Sequence, residues 1–160
     1  MKKIAVIGGG PKAAAICAKA SAVNASGRQV TVRVFERNQI GAAWSGKYGY
    51  SDGLQRLCTP PERDVGFPYE QGLLNASGVA DLFGRFSWQA FLINYMQPTD
   101  GYRDWVDRGR KPPSHQLYAH YLRWVINQSD ALKSIGEVTG FDRENDKWTV
   151  TYQSRRLQSA

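Results

Sequence analysis

Cysteine, histidine and methionine are all scarce, two of each in 160 residues. Cys17 and Cys58 stand far apart without C-x-x-C spacing, which argues against a disulfide-stapled scaffold or a zinc ribbon. Both are expected to be small buried thiols in a reducing cytoplasm. His115 and His120 have no carboxylate or second histidine at ligand spacing, so no metal is expected. No apolar run approaches the roughly 18 residues that a membrane span needs. The stretch from Lys2 to Ala22 has the outline of a secretion signal, but Lys12, Lys19 and the glycine-proline break interrupt its apolar core. A signal peptide is therefore rejected. Acidic residues are short in one half only: residues 1–63 carry ten Lys/Arg against three Asp/Glu, and residues 64–160 carry eleven of each. The first part therefore calls for an anionic partner. Nucleic acid is a poor candidate, because basic residues are nowhere interleaved with aromatics in a run.

Glycine, by contrast, is concentrated where it counts. Lys3 to Ile7 form a short Ile/Val-rich run, expected to be a buried parallel strand. It ends in Gly8-Gly9-Gly10, and Pro11 opens an alanine-rich helix. Gly8, Gly10 and Ala13 occupy the G-x-G-x-x-G/A positions of the dinucleotide fingerprint. Gly8 serves the tight turn, Gly10 lets backbone approach a diphosphate, and Ala13 lets helix pack on strand. Pro11 costs nothing at the first helical turn, where its missing N–H has no partner anyway. The helix N-terminus supplies free N–H groups and a positive dipole end. A second strand, Gln29 to Phe35, is followed directly by Glu36, placed to accept hydrogen bonds from an adenosine ribose. That carboxylate would repel a 2′-phosphate, so the first site favours FAD or NAD over NADP. The spacing from Gly8 to Glu36 is longer than usual, and the excess is assigned to a turn over Asn24 to Arg28.

Arg37 to Gly78 is long and irregular, too long for a mere connector. Its aromatics, Trp44, Tyr48, Tyr50, Phe67 and Tyr69, argue against disorder. They either wall a ligand or simply pack. Ser87 caps a short helix through Met96, with Trp88, Phe91, Leu92 and Tyr95 on one face. Asp100 to Lys111 reads as a surface loop. Ser114 caps a second helix whose stripe is Leu117, Tyr118, Tyr121, Leu122 and Val125. From Ala131 the period changes to two: a strand to Phe141, a polar turn over Asp142 to Lys147, and a strand over Trp148 to Tyr152. The fold class is α/β: a Rossmann-like domain with a parallel sheet and a small antiparallel β-meander.

Several segments together carry a resemblance. They are AVIGGGPKAAAICAK from Ala5, the Trp44 to Tyr69 stretch with its RL-x-T-x-PE-x-DVGFPY core, SWQAFL at Ser87, WVDRGRKPPSH from Trp105, and YLRWV from Tyr121. In this order they resemble the flavin-dependent N-hydroxylating monooxygenases of siderophore biosynthesis, and among them the lysine N-epsilon-hydroxylases of the mycobactin pathway. The resemblance implies FAD and NADPH as cofactors, with O2 and a small-molecule amine as substrates. Gly8, Gly10, Pro11, Lys12 and Ala13 would lie against the FAD pyrophosphate, and Glu36 on its ribose, with Arg37 also among the cofactor-binding residues. Trp44 matches the tryptophan that frames the flavin, and Gln55 lies between flavin and substrate pocket. Ornithine hydroxylases place a substrate-anchoring lysine four residues before the threonine that corresponds to Thr59, and Gln55 stands there instead. Lysine or an acylated lysine is therefore expected as substrate rather than ornithine.

By resemblance such enzymes are about three times longer, with a second fingerprint for NADPH and a final strand that closes the FAD site. Residues 1–160 are thus expected to be the N-terminal part of an FAD-binding domain, incomplete at the C-terminus and inactive alone. Catalytic residues are not named by the sequence, and a homo-oligomer is compatible with it. Another FAD/NAD(P) oxidoreductase and a non-catalytic dinucleotide-binding fragment stay open as alternatives.

Overall fold

A computed structural model describes residues 2–61, 84–95 and 101–154. β1 (Lys2–Ile7), α1 (Pro11–Ala25) and β2 (Val30–Glu36) form the first unit. The strands run parallel, in register from Lys2 opposite Val30 to Ile7 opposite Phe35. Small side chains govern how closely α1 can pack, and Ala13, Ala14, Cys17, Ala18 and Ala22 are its most deeply buried residues. Asn24 ends the helix by clamping the chain as it returns. Its Oδ1 accepts the Val30 N–H at 2.7 Å and its Nδ2 donates to the Val30 carbonyl at 2.9 Å. The long connection inferred after the helix is thus a turn held by one side chain.

The sheet order is β1-β2-β3-β4. β3 (Leu132–Glu144) pairs parallel with β2 over Leu132 to Ile135, then antiparallel with β4 (Lys147–Ser154). Asn145 and Asp146 both have positive φ, 47° and 58°, the backbone of a two-residue type I′ hairpin. The polar turn is therefore shorter than expected, and both strands are longer.

β1 departs from expectation. Ile4 and Val6 pack on the core, but Ala5 is exposed and Ile7 is 57% exposed. Among the described residues β1 pairs only with β2, which makes it an edge strand, and no described element covers the face that carries Ala5 and Ile7. A continuous apolar run promises burial on both faces only when both faces are supplied.

α2 (Trp88–Tyr95), α3 (Gly101–Asp107) and α4 (His115–Gln128) complete the fold. Both expected caps are present: Ser87 Oγ accepts the Ala90 N–H at 3.0 Å, and Ser114 Oγ accepts the Leu117 N–H at 3.3 Å. Trp88, Phe91, Tyr121 and Trp124 form one aromatic cluster, and the Tyr121 hydroxyl donates to the Phe86 carbonyl at 2.7 Å. Met96, at the end of the expected helix, and Phe67 and Tyr69 lie outside the described residues. α3 corrects the surface loop expected there. Its Trp105 is buried beside Trp88 and donates its indole N–H to the Lys111 carbonyl at 3.1 Å. Asp104–Arg108 and Arg103–Asp107 add pairs four residues apart along the same segment.

Candidate functional site

The site begins at the glycine turn. Gly8 has φ +96°, a conformation that disfavours any side chain, and its N–H donates to the Phe35 carbonyl at 2.8 Å. This fastens the end of β1 to the end of β2. Gly9 is the tightest position. Its N–H donates to Glu36 Oε2 at 2.7 Å, and its carbonyl accepts the Gly41 N–H at 2.9 Å. An added Cβ there would stand 2.7 Å from Ile40 Cδ1 and 3.2 Å from both Glu36 Oε2 and Ile40 Cα. Gly10 is the opposite case, because a Cβ would meet nothing within 4 Å. The first helical bond of α1 runs from the Ala14 N–H to the Gly10 carbonyl at 3.1 Å. The Lys12 and Ala13 N–H groups have no acceptor among the described residues, the ordinary state of a helix start. Lys12 itself is exposed and Ala13 buried.

Glu36 does more than end β2. Besides the Gly9 N–H, its Oε1 accepts the Asn38 N–H at 2.9 Å. An ionised carboxylate has about four lone-pair sites, so two bonds leave room for two hydroxyl donors. Arg37, next along, bonds to the Tyr50 hydroxyl and lies 3.8 Å from Glu137 on β3.

Trp44 ends a 3-10 turn (Ala42–Trp44) and stands edge-on to His115, ring centroids 4.8 Å apart, and to Tyr118 at 5.5 Å. The Gln55 region is stitched to the start of α4. The His115 N–H donates to the Gln55 carbonyl at 2.7 Å and the Gln116 N–H to the Gly53 carbonyl at 2.9 Å, while Leu57 N–H reaches Pro113 at 3.1 Å. These bonds occupy the first N–H groups of α4, so that helix end is not free for an anion. Asp52 accepts the Gln55 N–H at 3.1 Å and the Leu54 N–H at 2.8 Å, and those two bonds hold its carboxyl below the usual range.

A cleft of about 500 Å³ joins these parts, with Pro11, Trp44, Gln55, Thr59, His115 and Tyr118 in its lining. The structure thus brings Pro11, Trp44 and Gln55 to one cavity and sets Gly8, Gly9, Gly10 and Glu36 at the turn from which Pro11 leads. Arg37 is not in the cleft lining. Two contributors were missed by sequence reasoning. The fingerprint leaves the Gly9 position free, and the bare glycine triplet is the sequence signal that points to it. His115 has no ligand spacing in the sequence, and its place in the cleft comes from the fold alone. Among the described residues no cluster of His, Cys, Asp or Glu could hold a metal ion.

No protein-family model matches the chain. L-lysine N6-monooxygenase MbtG of Mycobacterium tuberculosis (strain H37Rv) is 38% identical over 160 residues, covering 98% of this chain and 36% of its own length. MbtG of Mycobacterium sp. (strain MCS) is 45% identical over 139 residues, covering 84% of this chain and 31% of its own length. The chain therefore spans about a third of the length of the curated relatives it matches. Among solved structures, lysine monooxygenase NbtG from Nocardia farcinica superposes with TM-score 0.80 at 33% identity, over 94% of this chain and 39% of NbtG. DfoA from Erwinia amylovora, a cadaverine monooxygenase solved with FAD, shares the fold at TM-score 0.59 and 13% identity, over 95% of this chain and 31% of its own. The resemblance to lysine N-hydroxylating monooxygenases read from the motifs is thus found in sequence and in structure alike. Among the described residues no helix is long and apolar enough to cross a membrane.

Proposed function

We propose that residues 1–160 are the FAD-binding part of an NADPH- and O2-dependent monooxygenase that hydroxylates the side-chain amine of lysine for siderophore assembly, in the cytoplasm. The cleft that starts at Pro11, where the glycine turn ends, and continues past Trp44 to Gln55 is the observation that carries this reading. The residues fit FAD. Gly10 has open space, the first N–H groups of α1 are free for a diphosphate, and Glu36 keeps acceptor capacity for two ribose hydroxyls. Bound there, FAD would pass electrons from NADPH to O2 so that one oxygen atom reaches the amine.

The chain's own residues set the conditions. Gly8 and Gly9 shape the turn, Glu36 orients the adenosine end, and Trp44 walls the cleft. A lysine amine is protonated in water with pKa ~10.4, and freeing its lone pair near neutral pH costs on the order of 4 kcal/mol. The described cleft lining contains no Asp or Glu, and Arg56 lies on it. Such a lining favours the neutral amine over the ammonium ion. The NADPH-binding part belongs, on this reading, to the two thirds of the relatives that the chain does not match.

The test has two arms. FAD titrated into this chain should bind, read by flavin fluorescence quenching. The full-length protein should oxidise NADPH in a lysine-dependent manner and form the hydroxylamine. Tight NAD binding without flavin affinity would overturn the first arm, and lysine-independent oxidation without hydroxylamine would overturn the second.

A further inference from the structure

The cleft contains an imidazole that the fingerprint does not account for. His115 opens α4, is half-buried, and has its backbone N–H committed to Gln55. Its ring stands at 84° to Trp44, and Nδ1 lies 2.8 Å from Ser51 Oγ. Ser51 Oγ also accepts the Gly53 N–H at 3.0 Å. A hydroxyl has one proton to donate and two lone pairs. With Gly53 on one lone pair, the Ser51 proton still needs an acceptor. Among the described residues His115 Nδ1 is its partner. A proton on Nδ1 would leave two protons facing each other or the hydroxyl proton unspent. Asp52 accepts the Leu54 and Gln55 N–H groups, and among the described residues no hydrogen bond joins its carboxylate to Ser51 or His115.

We propose that Ser51 holds His115 in the tautomer protonated at Nε2, making His115 a hydrogen-bond donor to an acceptor nitrogen or oxygen on the edge of the flavin ring bound in the cleft. Nε2 has no partner among the described residues, and Trp44 limits rotation of the ring that carries it. Ser51 is a positioning residue; His115 is the one that touches the cofactor. The donor role rests on the flavin reading of the cleft, whereas the tautomer does not.

Two measurements test this. Long-range nitrogen–proton NMR on the flavin-free protein should show His115 protonated at Nε2 and bare at Nδ1. Ser51→Ala should mix the tautomers and Ser51→Thr, which keeps the hydroxyl, should restore the first pattern. A predominant Nδ1–H form, or no change in Ser51→Ala, overturns the positioning role. FAD affinity and the flavin absorption band are then compared in two variants. His115→Gln brings an amide to the Nε2 position and should bind FAD nearly as well as the unaltered protein. His115→Asn reaches only the Nδ1 position and should bind roughly 3- to 10-fold more weakly, the worth of about one hydrogen bond, with a shifted absorption band. Equal affinity and spectra in the two variants overturn the donor role. If the unaltered protein binds no FAD, the flavin reading and the donor role fall together, and the NMR result still decides what Ser51 does.

Discussion

Gly9→Ala and Gly10→Ala differ by one position and should differ in kind. At Gly9 the new methyl would sit 2.7 Å from Ile40 Cδ1 and 3.2 Å from Ile40 Cα and Glu36 Oε2. The Ile40 side chain can swing away, but its backbone cannot, and Glu36 is held in place by the Gly9 N–H itself. Overpacking of this kind costs about 1–3 kcal/mol. Displacing Glu36 also weakens a charge-assisted hydrogen bond worth roughly 1.5–3 kcal/mol. Since the two losses share one movement, a total of about 2–4 kcal/mol is expected rather than their full sum. At Gly10 the methyl meets nothing, and φ −91°, ψ −167° suits alanine. The loss of a favoured N-cap residue and the smaller entropy of the unfolded chain nearly cancel, leaving stability within about 1 kcal/mol. FAD affinity should nevertheless fall, because the methyl occupies the surface that a diphosphate must approach. Urea unfolding and flavin titration of both variants check the pair. A neutral Gly9→Ala refutes the packing argument, and unchanged flavin affinity in Gly10→Ala refutes the close approach.

Glu36→Gln replaces two accepting oxygens with one, so either the Gly9 or the Asn38 N–H faces an amide donor; a loss of about 1–3 kcal/mol is expected in chemical denaturation, and unchanged stability would contradict the double bond. Of the two cysteines expected to be buried only Cys17 is, while Cys58, in a loop, is exposed. At pH 8 a thiol-alkylating reagent should label Cys58 and spare Cys17, whose thiol burial pushes up to about 11; mass spectrometry of the native protein reads the site, and labelling of Cys17 would contradict its packing. Burial, then the charges of Arg123 and Lys47, hold the His120 pKa below 6.5, so its NMR titration midpoint should fall under that value. The lowered pKa favours the folded state above pH 6.5, and that contribution is lost as pH falls through the folded value; a midpoint above 6.5 would reverse the sign.

Local chemistry was readable wherever it closed locally. The Ser87 and Ser114 caps act within three residues of themselves, and the glycine turn and the alanine face of α1 are written in contiguous residues even though their partners lie further along the chain. α3 was hidden because seven residues make barely two turns, too few for a period to show, and its hold on the fold is one buried tryptophan. The hairpin was trimmed for another reason. Asp142, Arg143 and Glu144 sit on an exposed ladder, with Arg143 opposite Trp148 and bonded to Asp146 at 2.6 Å, so polarity there did not mean turn. β1 looked buried because its side chains are apolar, and burial depends on neighbours that its own residues cannot name. In the site, Ser51 and His115 are 64 positions apart, and only the fold reveals that the segment around Gly53 and Gln55 runs alongside the start of α4.

β3 belongs to two ladders at once, and the change of partner falls at a single point. Its last parallel rung sets Ile135 opposite Glu36, and its first antiparallel rung, at Gly136, sets it opposite Ser154. At Gly136 a Cβ would lie 2.2 Å from the Gln153 carbonyl oxygen, so no larger residue fits there without parting the strands. Just beyond that point Tyr152 touches Phe35 of β2 edge-on, and Glu137 reaches Arg37, the residue that follows β2. The hairpin therefore branches from the parallel sheet one residue past the rung of Glu36. The carboxylate that holds the glycine turn thus belongs to the strand position beside which the two ladders part.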